Sequence, residues 1–306
     1  MSEVFVGTCS WSDKSLLNSG EFYPKYIKNA EQRLKYYASV FSTVEVDSSF
    51  YAIPSEKNAS LWVERTPDNF IFNIKAFSAM TQHSLNPMSL PVDLRKYVDS
   101  QGSRIFIRDE NVIEEIFHRF IIGISPMIKK GKLGVVVFQY PPWFEKNDKN
   151  MDIILKAKRV MKGINCAVEF RNVSWLEKNN QVDTLNFLRD NGLTYIVADT
   201  PQVKTSKTIR YLVDCTTDIA YFRFHGRNIE NWQKKGIEIS LKYDYEYGID
   251  EIKKFADDII RIKDRVKKVF AMFNNHRGSQ AVRNAMDLIK ILKICMGYGM
   301  GDRLTE

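Results

Sequence analysis

The chain has 306 residues, 44% of them apolar and 27% charged, which excludes a disordered polymer and provides for a large core. Forty-five Lys and Arg against 37 Asp and Glu give a net charge of +8, which favours anionic partners without naming one. No apolar run reaches the roughly 18 to 20 residues that span a bilayer, so no membrane partner is expected.

Strand-like sequence starts at Val4, so no signal peptide is expected. Cys9, Cys166, Cys215 and Cys295 are far apart, lack CxxC spacing and sit beside apolar residues. Buried free thiols in a reducing, cytoplasmic setting are the expectation, with neither disulfides nor a cysteine zinc site.

In chain order, eight segments read as strands: residues 4–8, 43–47, 70–75, 133–139, 166–171, 194–199, 220–225 and 269–274. Most are dense in Val, Ile and Phe, as a parallel sheet buried on both faces requires. Helical spacing of apolar residues marks 30–40, 56–65, 183–190, 250–263 and 279–295. The longest insertion, 77–132, holds its own periodic helix over 112–127 and is expected to cap part of the barrel. Strands alternating with helices predict right-handed βαβ units. Eight of them predict an α/β fold, a single-domain (β/α)₈ TIM-type barrel over 1–306. A doubly wound open sheet is the alternative, but GTCSW follows the first strand where a Gly-rich phosphate turn would stand.

The strand ends carry the chemistry. Residues 220–228 read AYFRFHGRN, with Arg223 and His225 on one parity and Phe222 and Phe224 on the other. Glu45 and Asp47 end the second strand, Asn73 and Lys75 the third, and Gln139 the fourth. Glu169 and Arg171 end the fifth, Asp199 the sixth, and Asn274 the eighth. Polar residues gathered at C-terminal strand ends are where barrels build active sites; a mutually satisfied ion-pair network closing the barrel top is the structural alternative. Loops seven and eight carry Gly226-Arg227-Asn228 and His276-Arg277-Gly278, where barrels often bind phosphate. Trp11, Tyr51 beside Phe50, and Tyr243 are aromatic candidates for flanking a ligand ring.

These residues predict Glu45, Glu169, Asp199 and His225 as acid–base groups. Lys75, Gln139, Arg171, Arg223, Arg227, Asn274 and His276 are the expected anion and substrate contacts. No cofactor is expected; a divalent ion, if used, would fall to Glu45, Glu169 and Asp199, because four histidines in the whole chain do not build a multi-zinc site. GxSxG, Walker A and HExxH sequences are absent. The expected function is a hydrolase or lyase acting on a small phosphate-bearing substrate. One alternative is a carboxylate-pair glycosidase using Glu45 and Glu169. Another is a non-catalytic nucleic-acid binder, suggested by the Lys-rich stretch 253–268, although Asp257, Asp258 and Asp264 interrupt it. Nothing in the sequence indicates an oligomeric state.

Several of these stretches, with others between them, resemble the DUF72 family, the YecE-like proteins. The matching pieces are GTCSW (7–11), FYP (22–24), TVEVDSSFYAIPS (43–55), ERTPDNFIFNIKA (64–76) and VFQYPPWF (137–144). They continue with AVEFRNVSW (167–175), VADTP (197–201), YFRFHGRN (221–228), YDYEY (243–247) and FNNHRGSQAVRNA (273–285). The resemblance implies a TIM-type barrel and no particular reaction. Asn172 stands where family members commonly carry His, and Asp47 where Asn is usual.

Overall fold

The computed structural model describes residues 2–98, 102–202, 208–232 and 234–297. The strands are β1 (Glu3–Thr8), β2 (Thr43–Val46), β3 (Ile71–Lys75), β4 (Leu133–Gln139), β5 (Cys166–Glu169), β6 (Thr194–Asp199), β7 (Ile219–Phe224) and β8 (Lys268–Phe273). The helices are α1 (Lys14–Ser19), α2 (Ala30–Val40), α3 (Glu56–Glu64), α4 (Glu110–Lys129), α5 (Asp148–Val160), α6 (Gln181–Asp190), α7 (Ile229–Trp232), α8 (Ile239–Lys242), α9 (Ile249–Lys263) and α10 (Gln280–Met296). All strand pairs are parallel, in the order β1-β8-β7-β6-β5-β4-β3-β2. The sheet curls into a nearly closed barrel flanked by helices, as the strand count predicts.

Alternation along the strands makes two cores. Phe5, Ile71, Val135, Val137, Ile196 and Tyr221 fill the barrel interior, while Val4, Val44, Phe72, Val136, Val197 and Phe222 face the helices. The seam between β1 and β2 is bridged by one side chain. Tyr37 on α2 accepts from the Thr8 N–H (2.9 Å) and donates to the Thr43 carbonyl (3.2 Å) through its hydroxyl. Gly7 permits this approach, since a Cβ there would stand 2.3 Å from the Thr43 oxygen. In β3, where the ladder register shifts, Asn73 takes over the pairing. Its Oδ1 accepts from the Val135 N–H and its Nδ2 donates to Thr43 Oγ1, both at 3.1 Å.

Three differences from the expected elements have physical causes. The helix in the insertion is longer than 112–127, because the Asp109 carboxylate caps it from Asn111 and Val112 onward. It is also no cap on the barrel. Helix α4 packs on α3, where Gly123 lies close against the Pro54 carbonyl, so it is the β3–β4 crossover and only 77–109 is extra. Helix α5 was not among the expected helices; it buries only Ile154 and Ala157, too few for a clear apolar stripe. Among the described residues no helix joins β6 to β7. Cys9, Cys166 and Cys215 are buried, but Cys295 is exposed on the outer face of α10. Among the described residues no helix is long and apolar enough to cross a membrane.

Candidate active site at the barrel mouth

The centre of the mouth is Arg223, fully buried at the end of β7. Its Nη2 lies 2.6 Å from Glu45 Oε1 on β2, and its Nη1 lies 2.5 Å from Glu169 Oε2 on β5. One guanidinium therefore ties three strands together across the barrel. Burying these charges is tolerable only because each is paired. Tyr221, two residues earlier and on the same face, donates to the other Glu45 oxygen at 2.7 Å. Glu169 Oε1 accepts from Gln139 (2.7 Å), Arg171 Nε (3.1 Å) and His225 Nε2 (3.1 Å). His225 Nδ1 meets Asn274 Nδ2 at 2.8 Å, which assigns a neutral imidazole with its proton on Nε2.

Closer to solvent stand Asp47, Lys75 and Arg171, whose side chains are 20%, 11% and 18% exposed. Lys75 Nζ is 3.4 Å from Asp47 Oδ1 and 4.7 Å above the centre of the Phe50 ring. Arg171 reaches the Tyr243 hydroxyl (3.5 Å) and lies over Trp232. Tyr243 stacks on His276, with ring centres 5.3 Å apart. Tyr51 is mostly exposed beside this group. The His276 Nδ1 and Asn274 Oδ1 atoms are buried without a partner among the described residues.

Burial drives the Glu45 carboxyl upward, with Arg223 opposing and Asp47 reinforcing the rise. Burial acts on Asp47 in the same sense, but Lys75 and then Arg223 outweigh it and hold that carboxyl low. Two adjacent carboxyls are thus pushed apart in acidity. Burial also works against an ionised Glu169, yet the surrounding donors, His225 and Arg223 foremost, hold it well below the usual range. For His225 burial wins over the pull of Glu169, and its pKa falls to about 4.

Four predicted site residues sit elsewhere or act differently. Asp199 shares the outward parity of Val197, not the inward parity of Ile196, so it leaves the barrel on the helix side. There it accepts from Arg227 Nε and Nη2 (3.0 and 2.8 Å) and from Tyr247 (2.6 Å). Arg227 follows it and also pairs with Glu251 at 2.7 Å. These two residues form a separate cluster that pins the loop before α9 to the end of β6. Trp11 is packed edge-on against Trp62 in the outer core instead of flanking the mouth. Arg223 is a member of the mouth, but both terminal nitrogens are engaged by Glu45 and Glu169, so it is not open to a ligand. With Asp199 turned away and Arg223 between Glu45 and Glu169, the three carboxylates offered for a divalent ion are not gathered. No group of three or more metal-ligating side chains occurs among the described residues. The same bridge leaves Glu45 and Glu169 no gap in which a glycosidic bond could lie. On α9, Lys253, Arg261 and Lys263 pair with Asp250, Asp258 and Asp264, so that stretch is no basic stripe. A groove of about 1320 Å³ between the extra segment and α5 lies away from the mouth. It mixes Arg108, Lys149, Lys156 and Arg159 with Glu110, Glu114 and Asp152, so it has no single sign.

The profile of the family described as "Protein of unknown function DUF72" matches residues 5–297. The chain belongs to the DUF72 family. It is 31% identical over 295 residues to the UPF0759 protein YunF of Bacillus subtilis (strain 168), covering 95% of each chain. Among solved structures it is similar to a DUF72 family protein from Thermotoga maritima MSB8, at 31% identity and TM-score 0.76 over 95% of this chain and 99% of that one. A DUF72 family protein from Enterococcus faecalis V583 matches at 25% identity and TM-score 0.78 over 95% of each chain. In this DUF72 chain Asn172 is a loop staple, donating to the Pro142 carbonyl and accepting from the Ser174 N–H. It lies outside the mouth contacts. Asp47, the other departure, places a carboxylate beside Lys75.

Sequence reasoning passed over Tyr221, Trp232 and His83. Tyr221 shares the parity of Arg223 and could have been found from it. Trp232 and His83 lie outside the strands, where no periodicity points to a neighbour.

Proposed function

We propose that this DUF72 protein is an enzyme that binds a small anionic, phosphate-bearing substrate at the barrel mouth and transfers protons there. One observation carries the reading: two cations of the mouth, Lys75 and Arg171, reach solvent with side chains 11% and 18% exposed. Both terminal nitrogens of Arg223 are taken by Glu169 and Glu45, so the cations open to a ligand are Lys75 and Arg171. Both lie against aromatic rings, Phe50 and Trp232, which suit a ligand with a flat or apolar part.

Glu45 and Asp47 are the proton-handling pair. Environments that separate two neighbouring carboxyls in acidity make one an acid and the other a base. Glu169, held ionised by four donors, and His225, occupied at both nitrogens, position Arg171 and Arg223. Hydrolysis and elimination both fit this arrangement.

Thermal shifts with inorganic phosphate, sugar phosphates, nucleotides and short DNA test the reading. A ligand at one hundred times its Kd adds about 2.7 kcal/mol of apparent stability. The stabilisation should come from a small phosphate-bearing compound and disappear in Lys75→Met and Arg171→Gln. Stabilisation that survives both substitutions, or that DNA alone produces, would remove the mouth from the function.

A further inference from the structure

The extra segment 77–109 brings a fourth kind of group to the mouth. Its first turn, Ser78–Thr81, ends at Gln82, which has φ of 62° and ψ of 22°. Gln82 is the single non-glycine residue with positive φ among the described residues. Side chains other than glycine seldom hold this conformation, and here it delivers His83. The His83 ring lies edge-on to Phe50 at 5.0 Å, and Phe50 is the ring beneath Lys75 Nζ. Its Nδ1 lies 2.9 Å from Thr81 Oγ1. That hydroxyl gives its own hydrogen to the Ser78 carbonyl at 3.2 Å, so it accepts from His83 Nδ1–H. The remaining nitrogen, Nε2, then carries a lone pair. Among the described residues it has no hydrogen-bond partner, and it is not a buried unpartnered atom.

We propose that His83 is a general base of the mouth, taking at Nε2 a proton from a substrate held by Lys75 and Arg171. This rests on the function proposed above and adds to its carboxyl pair a second, imidazole base. The bond to the departing proton leaves its electron pair on the substrate. Nε2 becomes N–H, and Nδ1–H stays on Thr81. The charged groups acting on the ring are Lys75 from β3, Arg171 from beyond β5, and Arg104 from its own segment, all cations. Burial first, and these cations next, hold the imidazole neutral, with its pKa lowered to about 4. An anion that neutralises Lys75 and Arg171 lifts that restraint, so the base gains strength when substrate binds.

The test is a histidine side-chain NMR titration of the full chain, with the His83 signal identified by its loss in His83→Gln. In Lys75→Met without ligand, the His83 pKa should rise by about one unit, a tenfold gain in proton affinity. Saturating inorganic phosphate should raise it similarly in the unaltered protein. A His83 pKa unmoved in Lys75→Met overturns the assignment, whether or not phosphate binds. If phosphate stabilises the protein through Lys75 and Arg171 while His83 does not respond, the site reading stands and the base is wrong. If phosphate does not bind, the anion reading fails, and the Lys75→Met titration still decides His83.

Discussion

Arg223 shows what one residue can hold. Removing its guanidinium strips Glu45 of its buried counter-charge and leaves Glu169 with Arg171 alone. Arg223→Met should therefore cost about 3–5 kcal/mol in urea unfolding. A loss below about 1 kcal/mol would mean that neither carboxylate depends on it. His225 makes a different claim. Its folded pKa, about 4, lies below the ordinary 6.5, so the unfolded chain binds a proton first as pH falls. Stability is full above about pH 6.5 and declines as pH drops toward 4. Between pH 7 and 5 the His225 share of this loss is about 2 kcal/mol, from 1.36 kcal/mol per unit. His225→Gln should flatten the stability–pH curve by that amount; parallel curves for the two proteins would show that His225 is not buried neutral.

At the scale of elements, the seam between β1 and β2 has a checkable construction. Tyr37→Phe strips the hydroxyl that the Thr8 N–H and the Thr43 carbonyl share, and should cost about 1–3 kcal/mol. Gly7→Ala should cost more, since its Cβ would fall 2.3 Å from the Thr43 oxygen and force β1 and β2 apart. The reverse order in a denaturation series would mean that the seam is held by something other than this contact. The elements themselves were legible in the sequence to differing degrees. Val- and Phe-rich strands were plain, because being buried on both faces demands apolar residues of both parities. Helix α5 was not, because a helix that buries two residues leaves little pattern. The sequence makes 77–132 look extra where only 77–109 is, since α4 belongs to the regular βα alternation and periodicity cannot say which neighbour a helix packs on.

The molecule as a whole carries two polar clusters where the sequence suggested one, and they are separable by experiment. Arg227→Ala removes the partner of Asp199 on the outer side of β6 and should cost about 1–3 kcal/mol. It should leave any phosphate-dependent thermal shift intact, whereas Lys75→Met abolishes that shift with less effect on stability. Loss of the shift in Arg227→Ala would join the clusters into one site.

The strand count, the parallel barrel, the family and the gathering of charge at the C-terminal strand ends were all determined by the sequence. They follow from local rules: period-two alternation, apolar density, and motifs that keep their order along the chain. Tertiary structure alone decided which charges meet. Asp199 looked inward by its position at a strand end, but strand β6 places Val197 and Asp199 outward and Ile196 inward. In the same way only the curled sheet brings Glu45, Glu169 and Arg223 together, residues separated by up to 178 positions. Only the folded extra segment sets His83 beside Phe50. Sequence periodicity fixes a side chain's face relative to its own strand, whereas its partner across the barrel depends on how all eight strands tilt and register together.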